Sequence, residues 1–258
     1  MSEAAASLFE LVEGQLLVGG LVFLRVGAML GVLPVFGERS VPERVRIALA
    51  AALSLVVAPA AFPEIDGALS RGAGTLALLG SEIIAGLLLG LAIRFFVLAL
   101  QTAGTIAAQA TSLAQIFGTA IVDPQPALSH VMVLAGLALI VILGLHVKIV
   151  SYIIVSYKLF PPASLPNAVD LRIWGTGHTG AMFALAFTLA APFVIVSLLY
   201  NLALGAINRA MPQLMVAFVG APAITFAALL LMALSLPLLL GAWNTALDGF
   251  LARPFWGP

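Results

Sequence analysis

The sequence of 258 residues contains no cysteine. That excludes disulfide frameworks, thiolate metal sites, iron–sulfur clusters and a cysteine nucleophile, and leaves the redox compartment open. Charge is almost as scarce, at 9% of residues against about 25% in an ordinary soluble domain. Eleven basic residues balance eleven acidic ones, so no net field gathers nucleic acid, and none is expected as a partner. Nucleotide-binding loops of the G-x-x-x-x-G-K-[ST] or G-x-G-x-x-G kind are missing. No His, Asp and Glu residues stand at metal-ligand spacing, and nothing in the sequence brings a Ser, a His and an Asp together. No catalytic residue, cofactor or metal ligand is therefore assigned, and an enzyme is not expected. The N-terminus lacks the positive start of a secretory signal: Glu3, Glu10 and Glu13 precede the first basic residue, Arg25. It reads as an uncleaved lead-in.

What the chain has in abundance is apolar surface, with 62% hydrophobic residues and a mean hydropathy of +1.17. This composition predicts an all-α membrane protein of about six to eight kinked apolar helices, ending in a helical hairpin and carrying no soluble domain. Apolar runs cover roughly 15–36, 47–62, 75–100, 127–147, 149–160, 179–206 and 213–242. The runs 127–147 and 149–160 form one bent helix or two. Pro63 closes the second run, and loops are expected over 64–74 and 163–180. Arg39, Arg44 and Arg46 place segment 37–46 in the cytoplasm by the positive-inside rule. The remaining charges do not alternate cleanly between loops, so some helices are expected not to cross the bilayer in the ordinary way.

Three charges interrupt apolar runs. Arg at a bilayer centre costs about 2.5–3.5 kcal/mol on insertion scales, so Arg25, Glu82 and Arg94 each need a partner or water. Glu82 and Arg94 lie roughly 18 Å apart along one helix and cannot pair directly. Either Glu82 carries an ion or proton, or these groups join helices or subunits. Arg44, Arg46, His146 and Arg209 complete the set of candidate inter-subunit or inter-helix contacts. His146 reads as proton-responsive or as a cap on a helix C-terminus. Gly27/Gly31 and Gly86/Gly90 each form a G-x-x-x-G pattern that permits close helix approach.

Residues 101–125 differ from the rest, being small, hydroxyl- or amide-bearing and uncharged before Asp123. They are too polar to face lipid and too apolar for a solvated loop, as expected of backbone that lines a protein cavity. Helix is expected to fray before Asp123-Pro124. Thr111, Ser112, Leu113, Gln115, Ile116, Phe117, Thr119, Ile121 and Asp123 are the candidate channel plug or lining, with a packed inter-helix connection as the alternative.

Several blocks in order resemble the FliR family, the flagellar export-gate subunits whose virulence-secretion relatives are the SctT proteins. They are 37–50 (GERSVPERVRIALA), 81–90 (SEIIAGLLLG), Gln109–Gln125, Gly144-Leu-His-Val with Ser156-Tyr157 and Pro161, and 207–216 with Gly220-Ala-Pro. One departure is Ala110-Thr111, where many relatives carry a glycine. The resemblance implies a structural, pore-forming subunit that assembles with FliP, FliQ and FlhB homologues. Unfolded export substrates would pass such a gate in the bacterial inner membrane, within the flagellar basal body. It also implies a FliP-like part over 1–162 and a FliQ-like hairpin over 179–258, joined by a loop at 163–178, with the central loop as plug. An ATPase or proton gradient elsewhere would supply energy. The alternatives are a virulence-type gate subunit, a small secondary transporter coupled through Glu82, and a membrane-embedded hydrolase.

Overall fold

The computed structural model describes residues 3–38, 41–112, 127–211 and 216–253. Among them are seven helices and no strand: α1 (Glu3–Val32), α2 (Glu43–Ser70), α3 (Thr75–Ser112), α4 (Ala127–Ile142), α5 (Leu145–Leu159), α6 (Ala168–Ala210) and α7 (Val216–Ala252). Five of these are long and apolar enough to cross a membrane, or six spans if the bent α4–α5 pair counts as one. The chain is an all-helical transmembrane protein.

Helix ends follow local chemistry. α2 does not stop at Pro63 but runs through Pro59 and Pro63 to Ser70. Its buried stripe of Ala50, Ser54, Val57, Ala61, Ile65 and Ala68 keeps a three-to-four spacing across both prolines, whose rings lie on the exposed side. Packing on that stripe holds the helix where proline alone would end it. The stop comes at Gly72, whose φ of 76° suits only glycine cheaply. There the Ala73 N–H donates to Ala68 O and the Gly72 N–H to Leu69 O, the paired closure of a Schellman turn.

Gly144, at φ 77°, separates α4 from α5. The run 127–160 is therefore two helices. The stretch expected as a loop at 163–178 is helical from Ala168. Asn167 supplies the reason: its Oδ1 accepts the Val169 N–H at 3.1 Å, an N-cap.

The chain divides into two compact units. One comprises Met1–Phe95, Leu143–Gly177 and Gly249–Pro258; the other comprises Phe96–Ile142 and His178–Asp248. In the first, Val22, Val26, Met29 and Leu30 of α1 are buried with Leu89 and Ile93 of α3 and Ile149 and Ile153 of α5. In the second, Leu100, Ala103 and Ala107 of α3 are buried with Met132, Phe193 and Trp243. Half of the most apolar stretch of α3 is buried, against 22% for α2 and for α7. α3 is thus a core helix, while α2 and α7 keep most of their side chains, such as Leu55, Leu234 and Leu238, facing outward. Such faces are stable in hydrocarbon, since a helix satisfies its own backbone there.

Candidate functional site

The first unit is fastened around a buried charged cluster. Arg25 of α1 meets Glu82 of α3 in a two-pronged pair, Nε to Oε2 at 2.7 Å and Nη2 to Oε1 at 2.9 Å. The same guanidinium donates from Nη1 to Ser156 Oγ at 3.1 Å and from Nη2 to the Phe160 carbonyl at 2.9 Å. Its central carbon lies 3.7 Å from the centroid of the Tyr157 ring, and the Tyr157 hydroxyl donates to Glu82 Oε2 at 3.1 Å. Arg25, Glu82 and Ser156 are fully buried. Ser81, beside Glu82, accepts the Ala163 N–H at 2.9 Å and so holds the segment after α5.

Local sequence explains how the charges reach each other. Gly86, one turn beyond Glu82, lies against the Arg25 carbonyl, where any Cβ would overlap it. At Gly90 a Cβ would come within 2.6 Å of Met29 O. Met29 and Gly90 each lie four residues beyond Arg25 and Gly86, so α1 and α3 run in the same direction. The second G-x-x-x-G pattern is therefore a close approach of the two helices. The first pattern is not: a Cβ on Gly27 or Gly31 would meet nothing within 4 Å.

Further along the same seam, Arg94 Nη1 donates to the carbonyl of Val32, the last residue of α1, at 3.2 Å. A cation there answers both an orphan carbonyl and the negative end of the helix dipole. Arg46 donates to the carbonyls of Phe36 at 3.0 Å and Glu38 at 3.2 Å, which closes the turn between α1 and α2. Arg44 and Arg209 are exposed. His146 is also exposed and stands in the first turn of α5, so the break at Gly144 removes it from any helix C-terminus.

The Glu82 carboxylate is buried, and both of its oxygens accept hydrogen bonds from Arg25. Two opposite charges cancel, a phenol and a serine satisfy their remaining sites, and four chain segments are drawn together. Among the described residues no group of three or more His, Asp or Glu could hold a metal ion. Sequence reasoning missed Ser156, Tyr157, Ser81 and the Phe160 carbonyl as partners. The usable signal was that Arg25 and Glu82 are opposite charges in two separate apolar runs, each lacking a partner on its own helix.

Of the candidate plug, Thr111 is half-buried at the end of α3 and donates to the Ala108 carbonyl at 2.9 Å, and Ser112 is the last residue of the helix. Leu113, Gln115, Ile116, Phe117, Thr119, Ile121 and Asp123 lie outside the described residues. The helix that leads to them is anchored within the second unit. Ser197 Oγ donates to the Ala110 carbonyl, an orphan at the helix end, and Asn201 Nδ2 donates to Ser197 Oγ at 3.2 Å. Ser129 Oγ donates to Gln101 O at 2.9 Å and Trp243 Nε1 to Phe96 O at 2.8 Å.

The family model described as bacterial export proteins, family 1, matches residues 16–250. The flagellar biosynthetic protein FliR of Caulobacter vibrioides is 32% identical over 232 residues, covering 89% of this chain and 92% of the relative. The protein of the same name from Escherichia coli is 31% identical over 84% of this chain and 83% of its own length. That of Bacillus subtilis is 30% identical over 78% and 79%.

Proposed function

This chain belongs to bacterial export proteins, family 1, and on that premise we propose that it is a structural, pore-forming subunit of the flagellar protein export gate. The observation that carries the reading is the extent of the likeness: relatives named flagellar biosynthetic protein FliR match over most of both chains at 30–32% identity. Their name favours flagellar use over a virulence system. The chain assembles with FliP and FliQ homologues, and with an FlhB homologue beside them, in the bacterial inner membrane. Residues 1–162 act as its FliP-like part and 179–258 as its FliQ-like hairpin. Residues 111–123 plug or line the passage for unfolded polypeptide.

Two features support the reading. The outward apolar faces of α2, α6 and α7 offer broad surfaces to lipid and to neighbouring subunits. The uncharged stretch before Asp123 can touch passing polypeptide without trapping it electrostatically. The competing transporter requires a coupling carboxylate that meets water during its cycle. Glu82, buried and held by both oxygens to Arg25, does not suit that role.

The test is native mass determination of the tagged chain co-expressed with FliP and FliQ homologues. A hetero-complex with this chain as a minority subunit is expected. A monomer or homo-oligomer that ignores those partners would overturn the reading. Within that complex, a Phe117→Cys side chain, the single thiol of the chain, should cross-link to a stalled export substrate.

A further inference from the structure

An open-sided groove of about 320 Å3 lies in the first unit, between α1, α2 and α3. Its walls are Phe23, Leu24, Gly27 and Ala28 of α1, Ile47 and Ala50 of α2, and Ile83 of α3. The small residues create the space: a Cβ added at Gly27 would meet nothing within 4 Å. Only one polar side chain, Arg46, joins the lining. Its Nε and Nη2 are held by the carbonyls of Phe36 and Glu38, which orient the guanidinium without cancelling its charge. Among the described residues neither Arg46 nor the exposed Arg44 is paired with a carboxylate. Glu38 and Glu43 are exposed and form no ion pair with either.

We propose that this groove binds one anionic phospholipid, an acyl chain lying along Phe23, Gly27, Ala50 and Ile83 and the phosphate on Arg46, with Arg44 as a second charge. Three arguments select this occupant. A positive, pre-oriented guanidinium matches a phosphate in charge and in hydrogen-bond donation. An apolar channel running from it matches a chain tethered to that phosphate, and basic pockets between membrane helices bind acidic headgroups for this reason. The arginine-rich segment also reads as cytoplasmic, where anionic lipid headgroups lie. The proposal is independent of the export reading.

The test uses the full chain, delipidated in a neutral detergent and titrated with phosphatidylglycerol or phosphatidylcholine, with bound lipid read by native mass spectrometry. Phosphatidylglycerol should be retained in preference to phosphatidylcholine. An interfacial Arg contributes about 1 kcal/mol, so Arg46→Gln should weaken phosphatidylglycerol about fivefold and Arg44→Gln/Arg46→Gln about 25-fold. Gly27→Leu should fill the groove and abolish retention of both lipids while leaving Arg46 in place, and unchanged helical circular dichroism would show that the variant is folded. Inorganic phosphate should fail to displace the lipid, because it brings no chain. Equal retention of the two lipids, or indifference to both Arg46→Gln and Gly27→Leu, would overturn the proposal. Displacement by inorganic phosphate alone would overturn it as well. So would loss of the lipid on co-expression with a FliP homologue whose capture then depends on Arg46, since the groove would then be a protein contact.

Discussion

The two halves of α3 are secured by different chemistry. Over 75–95 the helix is held by an ion pair, a cation–π contact and a close glycine seam. Over 96–112 it is held by single neutral donors placed on its carbonyls: Trp243 on Phe96, Ser129 on Gln101 and Ser197 on Ala110. The first arrangement is all-or-none, because removing either charge strands the other in a dry core. The second is graded, because each neutral bond contributes little and its loss leaves a carbonyl that still has its helical partner or a helix-end position. The half that leads to residues 113–126 is therefore the more easily adjusted one.

The sharpest way to break this comparison is to unpair the charges. Arg25→Met or Glu82→Leu alone should destabilise the detergent-solubilised chain by about 3–5 kcal/mol. The double variant should recover most of that, because an apolar pair leaves no buried charge. Thermal unfolding of the four proteins gives the cycle. Additive losses would mean that the pair is not a unit and that the two halves of α3 do not differ.

A smaller effect separates the two glycine patterns. Gly86→Ala drives a methyl into the Arg25 backbone and should cost about 1–3 kcal/mol by overpacking. Gly27→Ala faces open space and should be neutral or stabilise by up to about 1 kcal/mol through helix propensity. Unfolding midpoints compare them directly. Similar losses at both sites would show that the α1–α3 seam is not where the charged half is tightest.

The smallest effect is expected in the neutral half. Ser197→Ala removes one donor from the Ala110 carbonyl and should cost about 0.5–1.5 kcal/mol, read from the same unfolding curves. Hydrogen exchange at the end of α3 should rise with no change around Arg25. A loss as large as that of Glu82→Leu would erase the distinction between graded and all-or-none fastening.

Much of the architecture was legible because bilayer chemistry leaves few choices. Long apolar runs must become helices, and seven are present among the described residues. Helix ends were less legible. Pro63 reads as a terminator, yet α2 continues to Ser70 because its buried stripe faces away from the proline rings. The stretch after Pro166 reads as a glycine-rich loop, yet Asn167 caps a helix at once. At the site, a need for partners could be read for Arg25, Glu82 and Arg94, but not the partners themselves. Arg25 finds its carboxylate 57 positions away and its phenol on α5, and no local period encodes such a separation.

The sequence by itself determined the solvent, the helical class and the family, because composition, run length and ordered blocks are properties of the chain alone. Only the tertiary structure decided which glycine pair is a seam and which opens a groove, and which group stands opposite Glu82. The physical reason is the same in both cases. A glycine gap or a buried charge acquires its meaning from the atoms opposite it, and those come from other helices.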